Sequence, residues 1–392
     1  MDWPILDPDV QLFINAHIGV DSASLALRKN PFPDLEWTEV LNQVLAKSKA
    51  KDKLPSWYAA VGIVYPPKLS VEQASSEQTA AYKADIVTGT KLIDLTGGFG
   101  VDDYYFAKKI NAVTHCEINA ALSRIVQHNA TVLGIENMEC IAGDSFEILV
   151  QAGTPFDWIY IDPSRRSDAK GKVFMLRDCQ PNVPDLLDTY FKYTDNILIK
   201  TAPLLDITAA LTELHYVRRI HIVAVGNEVK ELLWELSGGY RGPLMIRAVN
   251  LLREHTDTFE FEYGSLPEPV IGQPKKYLYE PNSAIMKSGG FNAVSKQFGL
   301  NKLQQHSHLY FSDQLIAFPG RVFEVLTRIP YTKPQMKIHL QQGQFNITTR
   351  NFPDSVESIR KKWKIKEGGT QYCFFTTDAN DDKIVLICSK IK

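Results

Sequence analysis

Little in this 392-residue chain points to export, a membrane or a metal. Its five cysteines (Cys116, Cys140, Cys179, Cys373, Cys388) are scattered and odd in number, with no CxxC pair. Neither a disulfide framework nor a zinc knuckle is indicated, and buried free thiols are expected. No apolar run approaches the roughly 18 residues that a membrane span requires. The N-terminus, MDWPILDPDV, is acidic and lacks the basic start and apolar stretch of a signal peptide. The nine histidines show no metal spacing such as HExxH. These absences predict a cytoplasmic protein with no membrane partner and no metal. Charge of one sign is scarce as well: 43 Lys+Arg against 45 Asp+Glu give a net charge of −2, which on its face argues against a polyanion partner. What is present, 44 % hydrophobic and 22 % charged residues, is the composition of a packed globular chain. Its length calls for two or three domains.

Up to about Tyr65 the apolar residues fall at helical spacing, broken at Asn30-Pro31-Phe32-Pro33 and Pro66-Pro67. LSVEQASSEQTAAYKADIV reads as a further helix, with Ser70 as N-cap and Gln73 completing a capping box. From Lys91 the texture changes to short β-rich runs alternating with helical ones. KLIDLTG, AVTHCEI, MECIAGD, DWIYIDP, NILIKTAP and RRIHIVAVG read as strands, with helical segments between them. That alternation implies right-handed βαβ crossovers and a mainly parallel sheet with helices on both faces. Ligands of such sheets bind beyond the carboxyl ends of the strands. Past Gly239, LMIRAVNLL and TDTFEFEYG read as antiparallel strands closing the sheet, SLPEPVIGQP as a linker, and the remainder as α+β.

The sharpest signal is Asp94-Leu95-Thr96-Gly97-Gly98-Phe99-Gly100, where a strand gives way to a helix. It lacks the Gly-Lys-Ser/Thr ending of a phosphate-cradling loop. As a dinucleotide fingerprint it would place Asp103 where the third glycine belongs and Asp94 beside a pyrophosphate. A cationic ligand without phosphate suits it better, because carboxylates attract such a ligand. Three more acids end the next strands: Glu117, Asp144 and Asp162. Acids also cap helices, which would account for any one of these four positions more easily than for all of them together.

Residues 91 to about 203 resemble the class I S-adenosylmethionine-dependent methyltransferases, with DLTGGFG as glycine motif, HCEIN as ribose motif and AGDS as adenine-side motif. SVEQASSEQTAAYKA, IDPSRR, VGNEVKELL and RNFPDSVESIRKKWKIKEGGTQYCFFTT resemble a bacterial group in which this domain precedes a ferredoxin-like unit and a C-terminal THUMP-like domain. The resemblance implies a Rossmann-like α/β sheet with S-adenosylmethionine as cofactor, and RNA, ribosomal or transfer, as substrate and partner. It divides the chain into a helical region (1–66), a methyltransferase domain (67–263), a ferredoxin-like unit (275–328) and a THUMP-like basic domain (329–392). Asp94, Thr96, Gly97 and Gly98 would line the methionine end of the cofactor, Glu117 the ribose and Asp144 the adenine, with Ile118 and Ser145 as neighbours and Asp162 facing the reacting methyl.

The fourth motif, Asp162-Pro163-Ser164-Arg165-Arg166, departs from the [D/N/S]PP-aromatic pattern of amino methyltransferases. Ser164 and Arg165 replace the second proline and the aromatic residue that would stack on a flipped base. Lys200-Thr201-Ala202-Pro203 supplies no cysteine for attack on a pyrimidine carbon, and Cys179 is expected to be a buried structural thiol. Asp162, Pro163 and Arg165 are the expected catalytic residues. Ser164, Arg165, Arg166, Lys200 and Asn227 are expected to face substrate, although Asn227 also fits a helix N-cap and the arginines also fit salt bridges. A protein or small-molecule methyltransferase, or an RNA-binding protein with an inactive methyltransferase fold, stays open as an alternative.

Arg360-Lys361-Lys362-Trp363-Lys364-Ile365-Lys366 is a basic run with an aromatic inside it, a composition that nucleic-acid surfaces favour. Arg360, Lys361, Lys362 and Lys364 are the expected RNA contacts. The near-zero total charge is a cancellation. Residues 1–262 carry 25 Lys+Arg and 35 Asp+Glu, net −10, whereas residues 263–392 carry 18 and 10, net +8. An acidic part suited to a cationic cofactor is joined to a basic part suited to a polyanion.

Overall fold

The computed structural model describes residues 3–165, 175–265 and 267–391. The chain forms two compact units, Met1–Arg218 with Leu232–Gly242, and Arg219–Glu231 with Pro243–Lys392.

The first unit begins with six helices: α1 (Pro8–Ala16), α2 (Ser22–Ala26), α3 (Trp37–Lys53), α4 (Pro55–Ala59), α5 (Lys68–Gln73) and α6 (Glu77–Ala84). Val40 and Val44 of α3 bury one face against Ile5, Val10 and Ile14. Ala46, Ala50, Trp57 and Val71 pack with Phe99 and Tyr104. The single helix expected to start at Ser70 is in fact two. Ser70 lies inside α5, and Ser76 is the cap of α6, its Oγ accepting from the Thr79 backbone N–H at 3.2 Å. The Ser75-Ser76 pair breaks the run because both hydroxyls have non-helical work: Ser75 Oγ donates to the Asp102 carboxylate at 2.9 Å.

The alternating region follows as β1 (Lys91–Asp94), α7 (Val101–Ala107), β2 (Ala112–Glu117), α8 (Ala120–Val132), β3 (Met138–Ala142), α9 (Ser145–Ala152) and β4 (Trp158–Ile161). A short antiparallel ribbon, β5 (Ser164–Arg165) with β6 (Cys179–Gln180), precedes α10 (Val183–Tyr190), β7 (Asn196–Thr201) and α11 (Ile207–Leu211). Strands β3, β2, β1, β4 and β7 pair in that order, all parallel. All four residues of β4 are buried, as expected for a strand covered on both faces. The hairpin of β8 (Val217–Val225) and β9 (Glu228–Ser237) carries the chain out of this unit and back, and β9 pairs antiparallel with β7. Its turn corrects the N-cap reading of Asn227. Gly226 and Asn227 both have positive φ, +56° and +69°, the two-residue turn that matches strand twist, and a strand rather than a helix follows.

In the second unit, β10 (Met245–Leu251) pairs parallel with β8, and β11 (Thr256–Glu262) antiparallel with β10. A second sheet is built from β12 (Tyr277–Pro281), β13 (Asn301–Lys302), β14 (Tyr310–Ser312), β15 (Gly320–Pro330), β16 (Asn346–Arg350), β17 (Gln371–Thr377) and β18 (Lys383–Lys390). Its order is β13-β14-β12-β15-β18-β17-β16, with only the β16/β17 pair parallel. The helices α12 (Ser283–Ser288), α13 (Phe291–Phe298), α14 (Lys333–His339) and α15 (Val356–Trp363) complete the unit. Its apolar cores include one around Leu278, Phe311, Phe323 and Phe374 and another around Met336, Ile359, Trp363 and Phe375. No helix among the described residues is long and apolar enough to cross a membrane.

Candidate active site

The carboxyl ends of β1, β2, β3 and β4 bring Asp94, Glu117, Asp144 and Asp162 to one end of the first unit's sheet. Thr96 ties two of these ends together. Its N–H and hydroxyl donate to Asp94 Oδ1 at 2.7 and 3.0 Å, while its Oγ1 accepts from the Asp162 N–H at 2.7 Å. Glu117 braces the glycine loop: one carboxylate oxygen accepts from Gly98 N–H at 3.1 Å and the other from Asn119 N–H at 2.7 Å. Asp144 caps α9, its Oδ1 accepting from the Phe146 and Glu147 N–H groups at 2.9 and 3.1 Å, with Ser145 as the first residue of that helix. The helix-cap reading of Asp144 is thus realised. Ile118, just beyond β2, is 74 % exposed.

Gly97 and Gly98 are small for different reasons. Gly98 has φ +55°, and a Cβ there would meet only the Thr96 carbonyl oxygen at 3.7 Å, so the space above it is open. A Cβ on Gly97 would fall 2.1 Å from Cε1 of the His115 ring. His115 cannot yield, because it is fully buried and its Nδ1 lies 2.7 Å from Asp103 Oδ2. Gly97→Ala is therefore expected to cost about 1–3 kcal/mol of folding stability, read as a lower urea midpoint with an unchanged slope. An unshifted midpoint would contradict this packing.

Asp162 and Lys200 stand one residue beyond the paired Ile161 and Ile199 of β4 and β7, and the Lys200 Nζ bonds Asp162 Oδ2. Pro163 and Ser164 follow, Ser164 opposite Gln180 and the Arg165 backbone opposite Cys179 in the β5/β6 ribbon. Arg166 lies outside the described residues. Cys179 is buried, and burial pushes the Cys140 thiol up to about 12, so Cys140 offers no ready thiolate. Asn227 belongs to the second unit, where its N–H donates to Asn250 Oδ1 at 2.8 Å and its own Oδ1 accepts from the Ser283 N–H at 2.7 Å.

The basic run divides by environment. Trp363 is buried on the apolar face of α15 with Ile359, so it packs the core rather than offering a stacking surface. Arg360 is half-buried and donates to the Phe345 carbonyl at 3.2 Å. Lys362 reaches the Tyr331 hydroxyl at 3.1 Å and Asp354 at 3.7 Å. Lys361, Lys364 and Lys366 are exposed.

Sequence reasoning missed the charged groups under the loop. Lys83, fully buried, pairs with Asp102 at 3.2 Å, and Asp102 also accepts from the Tyr160 hydroxyl at 2.8 Å. Burial alone would raise the Asp102 pKa; Lys83 and then Lys200 overcome it and hold the carboxyl below its usual range.

This fold, with a glycine loop after β1 and acids at four strand ends, defines a class I S-adenosylmethionine-dependent methyltransferase, and S-adenosylmethionine is its cofactor. A solved protein from Porphyromonas gingivalis W83, named a "putative methyltransferase", matches 100 % of this chain and 100 % of its own at 30 % identity and TM-score 0.89. A ferredoxin-like domain family matches residues 277–319, and a THUMP domain-like family matches 320–390. The chain belongs to the methyltransferase family of the P. gingivalis protein, and in this chain the two matched domains follow the methyltransferase sheet. More distant solved structures include an rRNA methylase from Streptococcus thermophilus (16 % identity, 41 % of this chain and 93 % of that one, TM-score 0.29). Another is the M. jannaschii tRNA m1G37 methyltransferase (11 % identity, 43 % and 52 %, TM-score 0.31). Both overlaps are too slight to bear on function. No curated protein matches the chain.

The residues present suit the cofactor: open space over Gly98, an exposed apolar Ile118 and carboxylates on four strands fit a ligand with an adenine, a ribose, an ammonium and a sulfonium.

Proposed function

We propose that this protein methylates a nucleotide in ribosomal or transfer RNA. The observation that carries the RNA reading is the THUMP-like module with Lys361, Lys364 and Lys366 exposed on it, in a part of the chain with net charge +8. In the first unit, Asp94, Thr96, Gly97 and Gly98 line the methionine end of the cofactor, Glu117 the ribose, and Asp144 with Ile118 and Ser145 the adenine. When bound, the cofactor supplies an activated methyl on sulfur, so the protein's task is mainly alignment. Asp162 accepts a hydrogen bond from the target amine or hydroxyl and fixes its lone pair toward the methyl. Lys200, already bonded to Asp162, holds that carboxylate in place, while Pro163, Ser164, Arg165 and Arg166 flank the target and its phosphates.

Mass spectrometry of nucleosides from ribosomal and transfer RNA of wild-type and deletion cells tests this. One methylated nucleoside is expected to vanish on deletion and return with the wild-type gene but not with Asp162→Ala; an unchanged profile overturns the proposal. A triple Lys361→Ala, Lys364→Ala, Lys366→Ala variant is expected to weaken RNA binding. It should also flatten the slope of log K against log salt by about 2–3, at roughly one unit per phosphate contact, with cofactor affinity unchanged. An unaltered slope would remove these lysines from the RNA surface.

A further inference from the structure

Beneath the glycine loop, Asp94 sits in a buried cluster with Asp103 and His115, two groups that the proposed reaction does not use. Asp94 at the end of β1 and Asp103 in α7 are 1 % and 0 % exposed, and both belong to the buried group around His115, Asp94 as its partner in the β1/β2 register and Asp103 through Nδ1. Asp94 Oδ1 already accepts from the N–H and hydroxyl of Thr96. Asp103 Oδ2 faces His115 Nδ1 at 2.7 Å, and Asp103 Oδ1 is buried without any donor that the protein supplies. Two ionised carboxylates have no hydrogen to share. A proton on one of them both satisfies Asp103 Oδ1 and removes a buried charge.

The surrounding groups do not supply that hydrogen. On β2, the His115 Nε2 is buried with no partner; a second proton there would leave an N–H with no acceptor, and burial pushes the imidazole pKa down. Lys83 on α6 is held by Asp102 and Ser75, and Lys200 on β7 by Asp162. Asp102 on α7 and Glu117 on β2 add only negative charge, and burial keeps the Cys116 thiol on β2 and the Cys140 thiol on β3 neutral. Burial first, and Asp103 second, raise the Asp94 carboxyl well above its ordinary value; burial and then Asp102 do the same for Asp103.

We propose that Asp94 and Asp103 share one buried proton in the cofactor-free protein and that this proton is released to solvent when the cationic cofactor binds. The inference rests on the reading of Asp94 as lining the methionine end of that cofactor. The step balances simply: the shared carboxyl O–H bond breaks, the proton passes to buffer, and the Asp94 carboxylate is left to face the ammonium. Asp103 and His115 are then positioning residues, setting the protonation of Asp94 and the floor under Gly97 without touching the ligand. The sign follows. A bound cation favours the ionised pair, so affinity rises with pH, by up to about tenfold per unit below the pKa of the pair, and levels off above it.

Calorimetric titration of the full-length protein with S-adenosylmethionine at pH 6, in two buffers of different ionisation enthalpy, tests this on the wild type. The expected result is a buffer-dependent heat that corresponds to close to one proton released per cofactor. In Asp103→Asn an amide donor replaces the shared proton, and the release is expected to fall toward zero. Equal heats in both buffers with clear binding would overturn the proton linkage alone. The absence of any binding heat would overturn the cofactor reading of the site and the linkage with it.

Discussion

Replacing Asp162 by alanine is expected to lower kcat for methyl transfer by about 10²–10⁴-fold while cofactor affinity stays within a few fold. The carboxylate is placed rather than merely present. Its backbone N–H is fixed by Thr96 Oγ1 at 2.7 Å, and its Oδ2 is bonded by the largely buried Lys200. In the proposed role, loss of the side chain removes the acceptor for the target's proton-bearing atom and, with it, the bond from Lys200. The cofactor contacts proposed on β1, β2 and β3 are untouched, which is why kcat and cofactor affinity should part company. Asp162→Asn separates charge from shape: it keeps the side-chain volume, so a kcat loss close to that of alanine would assign the effect to the carboxylate. Near-normal turnover of Asp162→Ala, measured with saturating cofactor and RNA, would contradict the assignment.

The second large effect concerns folding. Lys83→Met is expected to destabilise the protein by about 3–5 kcal/mol, the usual result of removing one member of a buried ion pair. Lys83 is fully buried, and its removal leaves the Asp102 carboxylate with the hydroxyls of Ser75 and Tyr160 as donors but without its nearest cation. Asp102→Asn in the same chain should recover part of the loss, because it removes the stranded charge, so the two changes will be non-additive. The pH dependence follows from the lowered pKa of Asp102. Its contribution is fully present above the ordinary carboxylate range and is lost as pH falls through the depressed value. A urea midpoint for Lys83→Met equal to that of the wild type would contradict this account.

The parallel strands were legible because each is a short apolar run followed by helical spacing, and four of them end in an acid, as in KLID before the glycine loop and WIYID before Pro163. Strand β9 was hidden for a physical reason. Val229, Leu232, Leu233 and Leu236 fall at i, i+3, i+4 and i+7, a helical stripe, although the strand is buried without interruption from Glu231 to Leu236. The one honest strand signal was the Gly226-Asn227 pair, whose positive φ values build the hairpin. At the site, the strand-end acids could be read from position alone, and the Asp162–Lys200 pair was within reach through the β4/β7 register. The Lys83–Asp102 and Asp103–His115 pairs were not. Adjacent acids at the start of α7 look like favourable helix-dipole residues facing water, and nothing local shows that both are buried. Trp363 misled in the opposite direction: its basic neighbours suggest a stacking surface, whereas its spacing from Ile359 puts it in the core.

The most direct test of the central claim is methyl transfer in vitro. Full-length protein is mixed with S-adenosylmethionine carrying a labelled methyl group and with ribosomal or transfer RNA from cells lacking the gene. The account predicts that label enters one RNA species at one nucleotide, that RNA from wild-type cells accepts little because it is already modified, and that Asp162→Ala transfers none. Binding of the cofactor without label reaching either RNA, under conditions where the protein is folded, would contradict it.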